Sequence, residues 1–252
     1  MSSAVILIHG YITSPNDFLS LYESLYNKYD YVHKVTLPGH DDNSNYKNFK
    51  FLPTIDLLLD TYYKISKEYD KIDLIGFSLG GALASALASK FKFNKVVLLA
   101  PCNKYLRLGF LGQYFKMRRY YKKEYKNYKK QNKVIEAKKY LELAKDTKKN
   151  NELSIKLGLF HLIPHYTPRT IMVFRKLVNW SNNSLKKNDS KTLVIWGKLD
   201  QLVPYSSLVY LSKYFMNCKK IIYDDISHLM LGSVNYQKIV DDIMEFLEDE
   251  TL

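Results

Sequence analysis

The chain has 252 residues, 46% of them hydrophobic and 14% aromatic, which suits one sizeable core and excludes a disordered or fibrous protein. Its formal net charge is +13. That charge is not spread evenly, because residues 101–190 hold 22 Lys+Arg against 6 Asp+Glu, a net of +16, while the remainder sits at −3.

The opening Met1-Ser2-Ser3 lacks the basic start of a signal peptide, and no apolar run reaches the ~18 residues of a spanning helix. The expectation is a soluble chain. Cys102 and Cys218 stand far apart, without metal-ligand neighbours, and read as reduced thiols, which places the expectation in the cytoplasm.

In chain order, Ala4 to Ile8 reads as a buried strand, and Ser14-Pro15-Asn16-Asp17 as the start of a helix with a carboxylate at its third position. His33 to Leu37 predicts a second strand, Thr54 to Tyr69 a long amphipathic helix, and Lys71 to Ile75 a third strand. Gly76-Phe77-Ser78-Leu79-Gly80-Gly81 then leads into the alanine-rich helix Ala82 to Ala88, and Lys95 to Leu99 is a fourth strand. This alternation is the signature of a mostly parallel sheet flanked by helices, an α/β class.

The alternation stops for about ninety residues. From Gln113 to Lys149 the sequence is dense in Lys and Tyr, with Tyr114, Tyr121, Tyr125 and Tyr128 at helical spacing, and it predicts one or two amphipathic helices. Apolar residues return at Leu157-Gly158-Leu159-Phe160, a helix starts at Thr167-Pro168 and runs to about Trp180, and Ser181 to Ser190 reads as a linker. Thr192 to Gly197 restores a strand, followed by a helix from Tyr205 to Phe215, a strand from Lys220 to Tyr223 and a helix from Tyr236 to Leu247. The expected division is a core of residues 1–100 and 191–252 with a basic helical cap, residues 101–190, inserted across the carboxyl ends of the strands.

Gly76-x-Ser78-x-Gly80 lies between a predicted strand and a predicted helix. A sharp strand-to-helix turn strains its central residue and tolerates only small neighbours, which the glycines supply. A serine hydroxyl is a weak nucleophile near neutrality and needs a base, with an acid behind it to orient that base. Asp200, after the strand ending at Gly197, and His228, past the strand ending near Tyr223, would reach the same sheet edge as Ser78. Asp224 and Asp225 are alternative partners for His228. The other histidines are worse placed: His9 belongs to the loop expected to donate to an oxyanion, His40 falls in a loop where a structural role fits, His33 opens a strand, and His161 and His165 lie in the insertion. Backbone donors for a developing oxyanion would come from Leu79, after the serine, and Tyr11, after the opening strand.

His9-Gly10-Tyr11 with Ser14-Pro15, Leu37-Pro38-Gly39-His40, the Gly76 to Gly81 segment, Gly197-Lys198-Leu199-Asp200 with Val203-Pro204, and Ser227-His228 together resemble the α/β-hydrolase superfamily. More narrowly, the chain is similar to bacterial carboxylesterases and monoacylglycerol lipases. The resemblance implies the α/β-hydrolase fold, hydrolysis of short to medium acyl esters, monoacylglycerol or lysophospholipid among them, and a small helical cap over an apolar acyl pocket. It departs from the family pattern at Asp41, where glycine usually follows the histidine, and in the lysine content of the cap.

Thioesters and amides are alternative substrates for the same residues, and from another class the scaffold could serve only to bind a membrane or nucleic acid. No cofactor or metal is implied, since neither a ligand cluster nor a phosphate loop is present in the sequence. The basic insertion reads first as a solvated helix face; as a contact surface it fits an anionic membrane, peripherally, better than nucleic acid.

Overall fold

The computed structural model describes residues 2–41, 45–104, 110–157, 167–200, 202–233 and 235–249, with side chains in the first two inserted helices described over 116–145. Six strands form one sheet: β1 (Ser3–Ile8), β2 (Tyr31–Val35), β3 (Lys71–Phe77), β4 (Lys95–Leu99), β5 (Lys191–Gly197) and β6 (Cys218–Tyr223). Their order is β2-β1-β3-β4-β5-β6, and every pairing is parallel. All carboxyl ends therefore face one edge, and each of the three predicted nucleophile, base and acid residues lies just beyond such an end.

Strand residues alternate between two apolar layers, as the period of two requires. Ala4, Ile6, Ile8, Leu74, Val96, Leu98 and Val194 pack against one set of helices: α2 (Phe51–Ile65), α3 (Leu79–Ala88), α6 (Pro168–Ser184) and α7 (Tyr205–Leu211). Val5, Leu7, Ile75, Phe77, Val97, Leu99 and Ile195 pack on the opposite face against α1 (Tyr22–Lys28) and α8 (Tyr236–Glu248). Both faces are covered. This explains why the central strands read as continuous apolar runs.

Local differences from the sequence expectation have local causes. The segment after Ser14 forms a 3-10 turn, Pro15–Leu21, before α1 begins, and Ser14 accepts from the Asn16 N–H at 3.3 Å. Strand β2 begins and ends two residues earlier than its apolar pattern suggested, and α2 starts at Phe51. The polar stretch from Ser181 is still helix up to Ser184; only then does the chain turn, with Asn188 bridged to Phe215.

The insertion contains α4 (Phe110–Lys130), α5 (Val134–Leu157) and α6. Lys and Tyr therefore form two helices, broken at Gln131-Asn132-Lys133, where Asn132 adopts φ 56°. Thr167 caps α6 as expected, its hydroxyl accepting from the Thr170 N–H at 3.2 Å. The Tyr114 side chain, residues 158–160, His161 and His165 lie outside the described residues.

The turn from β3 into α3 is tightly packed. A Cβ placed on Gly80 would lie 1.9 Å from the Ile8 carbonyl oxygen, and one on Gly76 would lie 2.3 Å from the Gly80 carbonyl oxygen. The end of β1 and the first turn of α3 touch backbone to backbone. Gly80→Ala should therefore destabilise the protein by roughly 3 kcal/mol or more in urea denaturation, since backbone has to move. Gly232→Ala is the control, with nothing within 4 Å of its Cβ position, and it should change stability by less than about 0.5 kcal/mol.

Candidate active site

Ser78 is the cap residue of α3 and holds φ 54° and ψ −112°, a conformation costly for a residue with a side chain. Three backbone bonds hold it there. Its N–H donates to the Leu99 carbonyl at 2.9 Å, and its own carbonyl accepts from Ala82 at 3.2 Å and Cys102 at 3.1 Å. Strain at the serine is thus fixed by β4 on one side and α3 on the other.

His228 reaches this serine from the loop after β6. Its Nε2 lies 3.0 Å from Ser78 Oγ, and its Nδ1 lies 2.8 Å from Asp200 Oδ2. The tautomer with hydrogen on Nδ1 satisfies both contacts, donating to the carboxylate and accepting from the hydroxyl. All three residues are buried, with Ser78 3%, Asp200 5% and His228 4% exposed. At these exposures the contacts are screened little by water.

Asp200 is itself positioned by backbone donors. Its Oδ1 accepts from the Leu202 N–H at 2.7 Å and the Val203 N–H at 2.9 Å, leaving Oδ2 aimed at the imidazole. The loops carrying Asp200 and His228 are stitched together by Lys198 N–H to Tyr223 O at 2.8 Å and Leu199 N–H to Ile226 O at 3.0 Å. The alternative partners go elsewhere. Asp224 pairs with Lys198 at 2.6 Å, and Asp225 accepts from Asn235 at 2.5 Å.

Leu79 is the first residue of α3, where N–H groups have no partner within the helix. The Gly80 contact with Ile8 brings the loop after β1, and with it Tyr11, against that same turn. The residues on either side of Tyr11 are both held. Gly10 N–H donates to Asp17 Oδ2 at 3.2 Å, and Ile12 N–H donates to His40 Nε2 at 3.1 Å. Ile12 adopts φ 55°, so the loop is bent as well as pinned.

These pins are residues whose partners the sequence did not reveal. Asp17 reads as a helix-start carboxylate, yet it reaches back to Gly10 and to the Thr13 hydroxyl at 2.6 Å. Burial raises its pKa above the usual carboxylate value. His9 and His40 form a reciprocal brace between the loops after β1 and β2. Leu37 N–H donates to His9 Nε2 at 3.1 Å, while Nδ1 of His9 and of His40 donates to Gly10 O at 2.8 Å and Pro38 O at 3.1 Å. The His40 side chain is thus structural, as its loop position suggested. A short pattern of His, Gly and Asp in the first forty residues was the available signal, but hydrogen-bond partners 28 residues apart are not encoded in local spacing.

Aromatic rings pack behind these loops. Phe174 of α6 packs on the Tyr11 ring at 4.9 Å and Phe49 at 5.7 Å, all three being buried, and Phe77 packs on His228 at 5.1 Å. A cleft of about 480 Å³ is lined by residues including Phe77, Leu229, Met230 and Leu231, with Asp17 contributing a polar wall; neither Ser78 nor His228 is among its lining residues. That volume is in the range of small-molecule sites. No group of three or more potential metal ligands occurs among the described residues.

Burial lowers the pKa of His40 from 6.5 to about 4, and lowers that of His9 to about 3, with the neighbouring His40 adding to the effect. Both rings are kept neutral in the fold. The unfolded chain takes up protons first as pH falls, so the stability tied to them is complete above pH 6.5 and is lost as pH drops toward 4. For His40 this amounts to roughly 3 kcal/mol. Asp17 and Asp73, with raised pKa values, act in the opposite sense, so a difference measurement is needed. Between pH 6.5 and 4.5 the wild type should lose about 2 kcal/mol more unfolding free energy than His40→Gln; equal losses would contradict the brace.

A family profile described as alpha/beta hydrolase fold matches residues 3–232. A Mycoplasma genitalium protein named "Putative esterase/lipase 3" is 26% identical over 95% of this chain and 86% of its own length. Among solved structures, an esterase from Exiguobacterium antarcticum matches with a TM-score of 0.61 at 14% identity, covering 98% of this chain and 92% of that one. The structure reported for the metagenome-derived lipolytic enzymes LipS and LipT matches with a TM-score of 0.66 at 12% identity, over 97% and 93%. A meta-cleavage product hydrolase from Pseudomonas fluorescens IP01 matches at 0.59 and 20% identity, over 98% and 90%. These structural likenesses speak to the fold, and the profile, spanning most of the sequence, settles the relationship: the chain belongs to the alpha/beta hydrolase family.

Proposed function

We propose that the protein is a carboxylic-ester hydrolase working through an acyl-enzyme on Ser78. The observation carrying this reading is the buried chain of contacts from Ser78 Oγ to His228 at 3.0 Å and from His228 to Asp200 at 2.8 Å. His228 takes the hydroxyl proton as Oγ attacks the ester carbonyl, and Asp200 stabilises the imidazolium that results. The Tyr11 and Leu79 amides donate to the oxyanion. The tetrahedral adduct collapses as His228 returns its proton to the leaving alcohol oxygen. Water, deprotonated by the same imidazole, then cleaves the acyl-enzyme to the carboxylic acid and free serine.

The chemistry orients the substrate. The alcohol oxygen leaves on the His228 side, because that imidazole returns the proton to it. The substrate class is short to medium acyl esters, monoacylglycerols and lysophospholipids included. Helices α4 and α5 act as a cap, while α6 packs in the apolar layer on one face of the sheet, and the basic charge of the cap gives an anionic membrane surface, where lipid esters are met, as the partner in preference to nucleic acid.

Ser78→Ala should lower kcat on p-nitrophenyl butyrate by ~10⁴ or more with the fold intact by circular dichroism, and residual turnover near wild type would overturn the assignment. Asp200→Asn should cost ~10²–10⁴ in kcat with little change in KM, whereas Asp224→Asn should leave kcat within about twofold. Across an acyl-length series, kcat/KM should peak between butyryl and octanoyl esters; a peak at acetyl would contradict a lipid-ester substrate.

A further inference from the structure

The α4–α5 hairpin ends in a feature that neither the fold nor the site uses. Residues 116–145 carry twelve Lys+Arg against three Asp+Glu. At the turn between the helices, Val134 and Ile135 are 75% and 84% exposed, the two most exposed large apolar residues among those described. Lys129, Lys130, Lys133, Lys138 and Lys139 flank them in sequence and are all exposed. An aliphatic tip in a field of lysines costs hydration in water and is matched by a lipid headgroup layer, where the cations meet anionic phosphate and the aliphatics reach the acyl boundary.

Nucleic acid fits this surface less well, because the tyrosines interleaved with the lysines are spent on helix packing. Tyr121 is buried, Tyr128 stacks on Tyr140 at 5.3 Å and 10°, and Tyr121 lies 6.2 Å from the same ring. Rings used in this way are not a stacking platform for bases. Aliphatic residues, not aromatic ones, are what the tip offers.

We propose that the tip of the α4–α5 hairpin, Val134-Ile135 with its flanking lysines, docks the protein on an anionic phospholipid surface. The reading of the site as an ester hydrolase gives this docking its purpose, and the proposal rests on it for that purpose alone. The base of the hairpin touches the site's own loop, since Lys116 Nζ donates to the Lys198 carbonyl at 2.5 Å, two residues before Asp200. From Lys116 to Lys130 a helix rises about 21 Å. A docked tip would hold the site near the headgroups but outside the bilayer, which suits esters that leave the membrane as monomers, such as monoacylglycerols and lysophospholipids.

The test uses the full chain and two sets of vesicles, phosphatidylcholine alone and equimolar phosphatidylcholine with phosphatidylglycerol, with hydrolysis of soluble p-nitrophenyl butyrate measured in parallel. The protein should sediment with the anionic vesicles only, and less so at high salt. Val134→Ser/Ile135→Ser should weaken that binding at least ~10-fold, and Lys129→Gln/Lys130→Gln/Lys133→Gln should abolish it. Both variants should hydrolyse the soluble ester within about twofold of wild type. Absence of binding to anionic vesicles, or equal binding by the tip variants, would overturn the proposal. Tighter binding to a DNA duplex than to vesicles, unaffected by the Val134/Ile135 change, would also overturn it. Vesicle binding that depends on the tip in a protein lacking ester turnover would uphold the docking and refute the hydrolase reading instead.

Discussion

The contact on which the rest of this structure depends is the one between Gly80 and the carbonyl of Ile8. A Cβ at position 80 would meet that oxygen at 1.9 Å, so the end of β1 and the start of α3 share a space that only hydrogen can fill. Several consequences follow from this closeness. It sets the sharpness of the turn that holds Ser78 at φ 54°, it brings the loop after β1 against the first turn of α3, and it leaves the serine hydroxyl facing His228. Strain at one residue is tolerated because neighbouring elements over-determine it.

Around that contact the polar groups are arranged in a fixed direction. Backbone N–H groups of Leu202 and Val203 hold one oxygen of Asp200, and the other faces His228, whose second nitrogen faces Ser78. On the opposite side Asp17, His9 and His40 hold the loop after β1 through its own backbone. The site is therefore organised before any substrate arrives, which is what electrostatic stabilisation of a transition state requires. The neutral state of both brace histidines follows from burial, and it ties the integrity of the loop to pH.

Much of this was legible in the sequence, for definable reasons. The parallel strands announced themselves as apolar runs because both faces of the sheet are covered, and Gly76-x-Ser78-x-Gly80 was informative because sterics leave so few alternatives at a strand-to-helix turn. Asp200 and His228 were singled out by their place after strand ends, and the parallel sheet brings both to the edge where Ser78 lies. Asp17 was different. Its position three residues after Ser14 has an ordinary local explanation, and its actual partners, Gly10 and Thr13, are set by the fold of the preceding loop. Edges were also poorly encoded, as β2 and α2 begin earlier than their patterns suggest, because terminal residues lack the burial that gives a pattern its contrast. In the insertion, composition predicted charge and helix but not which face each tyrosine would take.

The central claim is that Ser78 is the single activated nucleophile of this fold, and active-site labelling with a fluorophosphonate tests it most directly. Peptide mapping of the labelled wild-type protein by tandem mass spectrometry should find one phosphonyl adduct per chain, on Ser78, formed far more slowly in His228→Ala. An adduct on any other residue, or labelling at an unchanged rate in the His228 variant, would contradict the account.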